Sequence, residues 1–227
     1  MKSKNTKKIR IAIDATAGSG STSLALKLAR HYKLRYLDTG KVYRWCAFQI
    51  INKKPKNEIK FLKKKIKNLN LQKLQDKKLI DDKVAQVTSQ IAKDPMVRKL
   101  VYNFQKNIAY KIPKGFRGSI LNGRDITYKI IPDATFKFYV TASIFERSRR
   151  RKKELKNLGK KVTFKEIMKS LVKRDKSDKF RKYSPLKKTP DSLLINTTRL
   201  TITGGFLKIK KIIDRKLNNY GNNFKTR

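Results

Sequence analysis

The chain has little of the chemistry that redox and metal enzymes use: one cysteine, Cys46, and one histidine, His31, in 227 residues. A single cysteine excludes an internal disulfide. Without His/Cys clusters, the ligand spacings of a zinc or other transition-metal site are absent. Cys46 lies in an apolar helical pattern and reads as core; His31 closes a helical pattern and reads as a helix-end residue. Long apolar runs are lacking as well. None approaches the roughly 18 residues of a membrane span, and no apolar signal core follows the basic start Met1–Lys8. A reducing, cytoplasmic setting is expected, with no membrane partner. Acidic residues are scarce, 16 against 60 Lys and Arg, for a formal net charge of +44. That imbalance admits two readings: a nucleic-acid surface, or a general drift of surface positions to Lys. The basic residues run along the whole chain with no confined block and no interleaved aromatics, which favours drift. No dedicated nucleic-acid partner is expected, although such a field attracts nucleotides.

What is present is sufficient for one domain with a real core, since 38% of residues are hydrophobic. Apolar runs at Ile9–Ile13, Arg35–Leu37, Ser119–Leu121, Phe136–Thr141 and Leu193–Ile195 read as strands. Between them Thr22–Tyr32, Val42–Ile51, Lys83–Lys93, Pro95–Tyr110, Ile144–Leu158, Phe164–Arg174 and Phe206–Leu217 read as helices. Lys53–Lys78 reads as short amphipathic helices, Gly159 as a helix C-cap, and the tail from Asn218 as frayed. Alternating strands and helices imply an α/β fold, a central parallel sheet flanked by helices. Ligands of such sheets sit beyond the strand C-terminal ends.

The first such end carries a small-residue loop, Ala15, Thr16, Ala17, Gly18, Ser19, Gly20, Ser21, Thr22 and Ser23, between a strand and a helix. This is the architecture of a phosphate-binding P-loop, whose backbone N–H groups and helix N-terminus hold the anion. The pattern G-x-x-x-x-G-K-[ST] is met in part. Gly20 and Thr22 fit, Ala15 stands at the first Gly, and Ser21 stands where the phosphate-clamping Lys belongs. Taken alone, a Gly/Ser-rich turn of an ordinary βα unit fits equally well. Other strand ends weigh against that: Asp38-Thr39-Gly40, Gly123-Arg124-Asp125 and the segment after Thr141. In a Lys-rich chain the arginines stand out, because their planar fork grips phosphate in bidentate fashion. Arg44, Arg98, Arg124, Arg147, Arg150 and Arg151 lie near these ends, and Arg174-x-x-x-Asp178-x-x-Arg181 follows.

On these segments the chain resembles the bacterial cytidylate kinase family from about Ile9 to Leu217. The strings that carry the resemblance are Ile13–Ser23, Tyr36-Leu-Asp-Thr-Gly-Lys-Val-Tyr-Arg44, Val87–Ala92, Pro95–Arg98, Asn122-Gly-Arg-Asp125, Pro132-Asp-Ala134, Glu146-Arg147, Arg150-Arg151, Arg174-Asp175, Asp178 and Arg181. The resemblance implies a P-loop NTPase fold acting as a monomer. Its core would be 9–37 and 117–217, its monophosphate-binding lobe about 38–112 and its small lid about 147–182. It implies transfer of a phosphoryl group from ATP, with Mg²⁺, to CMP or dCMP. The loop 15–23 would hold ATP, with Thr22 or Ser23 toward Mg²⁺. Thr39, Tyr43, Arg44, Ser89, Arg98, Arg124, Asp125, Asp178 and Arg181 would bind the cytosine nucleotide. Ser89, Arg98 and Asp125 would read the base, Arg44 and Arg124 would grip the acceptor phosphate, and Asp178 with Arg181 would face the ribose and phosphate. Arg124, Arg150, Arg151, Arg174 and Arg181 would surround the transferring group, the lid arginines carried by the basic helix and a turn before Asp178. Two departures stand against the family pattern. The P-loop Lys and its leading Gly are replaced, and the segment 60–83 lacks the family's longer insertion of hairpin character. A weakened nucleotide-binding relative is therefore the alternative to an active kinase.

Overall fold

The computed structural model of the chain describes residues 8–222. Five strands, β1 (Ile9–Ala15), β2 (Leu34–Asp38), β3 (Gly118–Gly123), β4 (Phe136–Thr141) and β5 (Leu193–Asn196), form one sheet in the order β2-β3-β1-β4-β5. Every neighbouring pair is parallel. β1 is the middle strand and is buried nearly throughout, as its apolar run requires when helices cover both faces. The helices are α1 (Ser21–His31), α2 (Thr39–Lys53), α3 (Glu58–Ile66), α4 (Asp82–Ile91), α5 (Pro95–Tyr110), α6 (Ile144–Asn157), α7 (Phe164–Phe180) and α8 (Ile202–Asn222). Among the described residues no helix is long and apolar enough to cross a membrane.

Side chains alternate across β1. Ile11 and Ile13 pack with Phe138 against Leu24 and Leu28 of α1 and Ile209 and Ile213 of α8. Ala12, on the opposite face, joins a second cluster that runs through Leu37 and Leu121 into Trp45, Leu62, Leu79, Val97 and Val101. That cluster binds α2 to α5 into one lobe beside the sheet. Cys46 is buried in it, and burial pushes its thiol up to about 12. A third, small cluster joins Ala17 of the loop after β1 to Leu155 of α6 and Ile167 and Leu171 of α7. Phe138 is fully buried in β4. Replacing it by Ala is expected to cost about 3–5 kcal/mol, a large share of a typical stability of roughly 5–15 kcal/mol. Urea unfolding should show a lower midpoint at unchanged slope.

Two expectations from the sequence are corrected, and one feature is new. No turn precedes Asp178, because α7 runs unbroken from the Thr163–Glu166 capping box to Phe180. Its second half has no apolar stripe to read, since its inward residues are ion-paired: Asp175 with Arg147 and Asp178 with Arg124. The tail does not fray at Asn218, since α8 continues to Asn222; positions 223–227 lie outside the described residues. After β3 the chain makes an unforeseen π-turn, Ile126–Ile130, closed by Ile131 N–H to the Ile126 carbonyl at 2.8 Å. The segment 60–83 holds the end of α3 and two 3₁₀ turns, Lys73–Gln75 and Lys77–Ile80, whose Leu74 and Leu79 are core residues.

Candidate functional site

The loop after β1 turns through Gly18 and Gly20 at φ +74° and +83°, where a side chain is strained. Gly20 caps α1 without a side-chain acceptor, and no acidic residue occupies the first turn. The N–H groups that open α1 thus remain available to an anion. Ser21 is nearly buried at the start of α1. The Thr22 hydroxyl donates to Asp38 Oδ2 at 3.3 Å and accepts from Asn122 Nδ2 at 3.2 Å. Ser23 is part-buried in the same turn.

Beneath the loop lies Asp14, fully buried at the end of β1. It accepts from Ile126 N at 2.7 Å, Thr127 N at 3.0 Å and Thr127 Oγ1 at 2.6 Å. These bonds pin the π-turn to the central strand. Burial outweighs them and raises the Asp14 pKa from 3.8 to about 6. Because the folded value lies above the unfolded one, Asp14 stabilises the fold most below pH 4 and loses that contribution as pH rises through 6. The loss is on the order of 3 kcal/mol. Against Asp14→Asn, which cannot titrate, the parent chain should lose stability between about pH 4 and 6.5 in parallel urea melts. A difference that stays flat across that range would show that Asp14 does not titrate there.

The ends of β2 and β3 bring together most of the expected acceptor residues. Asp38 caps α2, with Gly40 N–H on its carboxylate at 3.0 Å. Thr39 is buried and donates to the Asn122 carbonyl at 3.0 Å. Tyr43, one turn further on, lies 5.6 Å from the Arg98 guanidinium, ring to cation. Arg98 reaches Asp125 Oδ2 at 2.5 Å and the Ala92 carbonyl at 3.0 Å, both side chains nearly buried. Arg124 Nε reaches Asp178 Oδ2 at 2.8 Å, and Arg181 lies 3.7 Å from the other Asp178 oxygen. Arg181 also donates to the Ser184 carbonyl at 2.6 Å and keeps one buried nitrogen without a partner among the described residues. Burial alone would raise the Asp178 carboxyl, but Arg124, Arg174 and Arg181 hold it below the usual carboxylate range. Arg44 donates to the Leu79 carbonyl at 2.8 Å. Arg174 keeps access to solvent and has no hydrogen bond or ion pair among the described residues. Crowding by protein, together with Arg124, Arg44 and Arg151, lowers its pKa to about 10, against the pull of Asp178. Among the described residues four guanidinium groups (Arg98, Arg124, Arg174, Arg181) thus gather around two carboxylates (Asp125, Asp178), an arrangement suited to a phosphate dianion.

Three expected site residues are engaged by other protein groups. Ser89 lies on the exposed side of α4 and donates to its own helix at the Ala85 carbonyl, 3.1 Å away. Arg151 pairs with Glu154 at 2.7 Å. Arg150 has all five N–H groups engaged by protein. They go to Glu146 Oε1, the Ser19 carbonyl, Thr197 Oγ1, the Thr197 carbonyl and the Leu200 carbonyl at 2.7–3.2 Å, so none is left for a phosphate in this arrangement. Asp14 and Thr197 were given no site role from the sequence, and Arg147 and Asp175, named there without a role, pair with each other at 2.6 Å. Their buried ties show only once the strands are assembled.

A sequence profile described as cytidylate kinase matches residues 11–215. The chain belongs to the cytidylate kinase family. It is 36% identical over 205 residues to the cytidylate kinase of Mesorhizobium japonicum, covering 90% of this chain and 93% of that protein. It is 37% identical to that of Bartonella tribocorum over 210 residues, covering 90% and 94%. The cytidylate kinase of Fusobacterium nucleatum is 33% identical over 218 residues, covering 91% and 98%. The fold is shared with a crystal structure of an uncharacterized protein from Eubacterium ventriosum, at TM-score 0.54 and 17% identity, covering 91% of this chain and 99% of that one. As a member of the cytidylate kinase family, the chain has a P-loop with Ser21 at the lysine position.

Proposed function

We propose that the chain transfers the γ-phosphoryl group of ATP to CMP or dCMP, giving CDP or dCDP and ADP. The observation that carries this reading is the pair of ion-paired groups, Arg98–Asp125 and Arg124–Asp178, gathered from α5, α7 and the end of β3, the neighbour of β1, whose end carries a loop with available helix-opening N–H groups. The division of labour follows: a core of 9–37 and 117–217, an acceptor lobe at 38–112, and a lid at 147–182. A cytoplasmic, monomeric enzyme goes with it. No observation favours a weakened relative.

The chemistry asks for positioning and charge rather than a covalent intermediate. The acceptor is already a phosphate anion, so no general base is needed. Loop N–H groups from Gly18 to Thr22 bind the ATP phosphates. Arg44 and Arg124 hold the acceptor phosphate, and Arg174, whose donors have no hydrogen-bond partner among the described residues, meets charge developing on the transferred group. The Arg98–Asp125 pair offers fixed donors and acceptors to the base. Magnesium suits the oxygen donors beside the loop: the Thr22 hydroxyl, the Asp38 carboxylate, and an Asn122 side-chain oxygen that is buried without a partner. Thr22 and Asp38, in part through water, would hold the ion, whose charge offsets that of the phosphates. The test is ADP release from ATP with CMP, dCMP, UMP and AMP in parallel, with and without Mg²⁺.

A further inference from the structure

The missing P-loop lysine leaves a charge to be accounted for, and the nearest cations reach the loop from behind. α6 lies against the outer side of the loop. A Cβ on Gly18 would stand 3.4 Å from Arg147 Cβ, and one on Gly20 would stand 3.5 Å from an Arg150 guanidinium nitrogen. Arg147 Nη1 donates to the Ala17 carbonyl at 3.0 Å, and Arg150 Nη1 donates to the Ser19 carbonyl at 3.2 Å. In a trans peptide the carbonyl and the following N–H point in opposite directions. The two arginines therefore hold the rear of the peptides whose front N–H groups belong to Gly18 and Gly20, the groups a bound phosphate would meet. A donor on a carbonyl polarises its peptide and strengthens the opposite N–H.

The two arginines differ in charge balance. Arg147 is matched one to one by Asp175. Glu146 serves both Arg149 and Arg150, at 2.8 Å each, and those arginines, Arg149 first, hold its carboxyl down at about 2. The Glu146–Arg149–Arg150 group thus carries a net positive charge, and Arg150 is its member against the loop. Arg150 is further fixed by Thr197 and Leu200 in the connection between β5 and α8, and Thr197 Oγ1 itself donates to the Ser19 carbonyl at 2.8 Å. A guanidinium held at five points has lost its freedom before any ligand arrives, so ordering it costs binding nothing.

We propose that Arg150 is a positioning residue that charges the P-loop through the Ser19–Gly20 peptide from the outer side, in place of a lysine at position 21. Arg147 sets the geometry of the same loop but contributes little net charge. The inference rests on the nucleotide-kinase reading above. It is tested by binding of ATP in the absence of CMP, so a chain that fails to phosphorylate CMP would overturn that reading without deciding this one.

The experiment titrates ATP and, separately, CMP onto the parent chain, Arg150→Gln, Arg150→Lys, Ser21→Lys and the double variant Ser21→Lys/Arg150→Gln, with thermal melts of each. Arg150→Gln keeps hydrogen-bond donors and loses the charge, so ATP should bind about tenfold more weakly while CMP affinity is unchanged. Arg150→Lys should fall between the two. Ser21→Lys should recover most of the lost ATP affinity in the Arg150→Gln background and change the parent chain by less than about threefold. A merely structural Arg150 would weaken ATP and CMP together, lower the melting temperature, and gain nothing from Ser21→Lys. That pattern overturns the proposal, as does an Arg150→Gln chain that binds ATP like the parent. If Arg150→Gln does not fold, Arg150→Lys with and without Ser21→Lys decides. ATP affinity reduced in Arg150→Lys and recovered by Ser21→Lys supports the proposal; affinity left unchanged, or reduced and not recovered, overturns it.

Discussion

Arg124→Ala is expected to lower kcat/KM for CMP by roughly a hundredfold to a thousandfold. Two losses combine. The substitution removes the arginine at the end of β3 that is proposed to hold the acceptor phosphate. It also strips Asp178 of the guanidinium 2.8 Å away, leaving a half-sequestered carboxylate beside an incoming dianion. The second loss makes the effect larger than that of one surface arginine, whose pairing is worth about 1 kcal/mol or less. Steady-state kinetics of Arg124→Ala, Arg124→Lys and Arg124→Ala/Asp178→Asn separate the two. Lys should recover charge without the fork, and the double variant should recover whatever the orphaned carboxylate costs. An Arg124→Ala chain that keeps most of its kcat/KM would place the acceptor phosphate elsewhere.

CMP and dCMP should be phosphorylated at least about a hundredfold more efficiently than AMP or GMP. Arg98 and Asp125 are nearly buried and bonded to each other, and Arg98 is held further by the Ala92 carbonyl and lies over the Tyr43 ring. Such a pair has little freedom to rearrange around a different base. A base without matching groups leaves buried donors and acceptors unpaired, a penalty of about 1–3 kcal/mol for each. Parallel assays at matched nucleotide concentrations measure the ratio, and equal rates on purine monophosphates would remove the base-reading role from this pair.

The strand and helix order was legible because the apolar periods are clean. Phe136–Thr141 and Pro95–Tyr110 are found in the structure at the bounds the pattern predicts. The second half of α7 was not legible, because its inward face is built from Asp175 and Asp178 and an apolar period cannot report a helix that buries ion pairs. The π-turn was hidden for a related reason: its anchor is Asp14, a partner 112 positions away in sequence. At the site, residue type revealed which arginines are present and not what each one holds. Arg124 and Arg150 look alike in sequence, yet one pairs with Asp178 on α7 and the other is largely consumed by carbonyls. Ser89 reads as a polar site residue and sits on a solvent face, since a hydroxyl in a helix satisfies itself on its own backbone.

The third hydrophobic cluster has a consequence for motion. Its buried members are four, and Ala17 comes from the P-loop while Leu155, Ile167 and Leu171 come from α6 and α7. This is the smallest apolar cluster of the three, and the α6–α7 hairpin leans for the rest on the Arg147–Asp175 and Arg124–Asp178 pairs and on Arg150. Because Ala17 belongs to the loop after β1, whatever stiffens that loop is expected to steady the hairpin as well. On the function proposed above, a nucleotide bound at the loop and the order of the hairpin would be linked through the Ala17 methyl group.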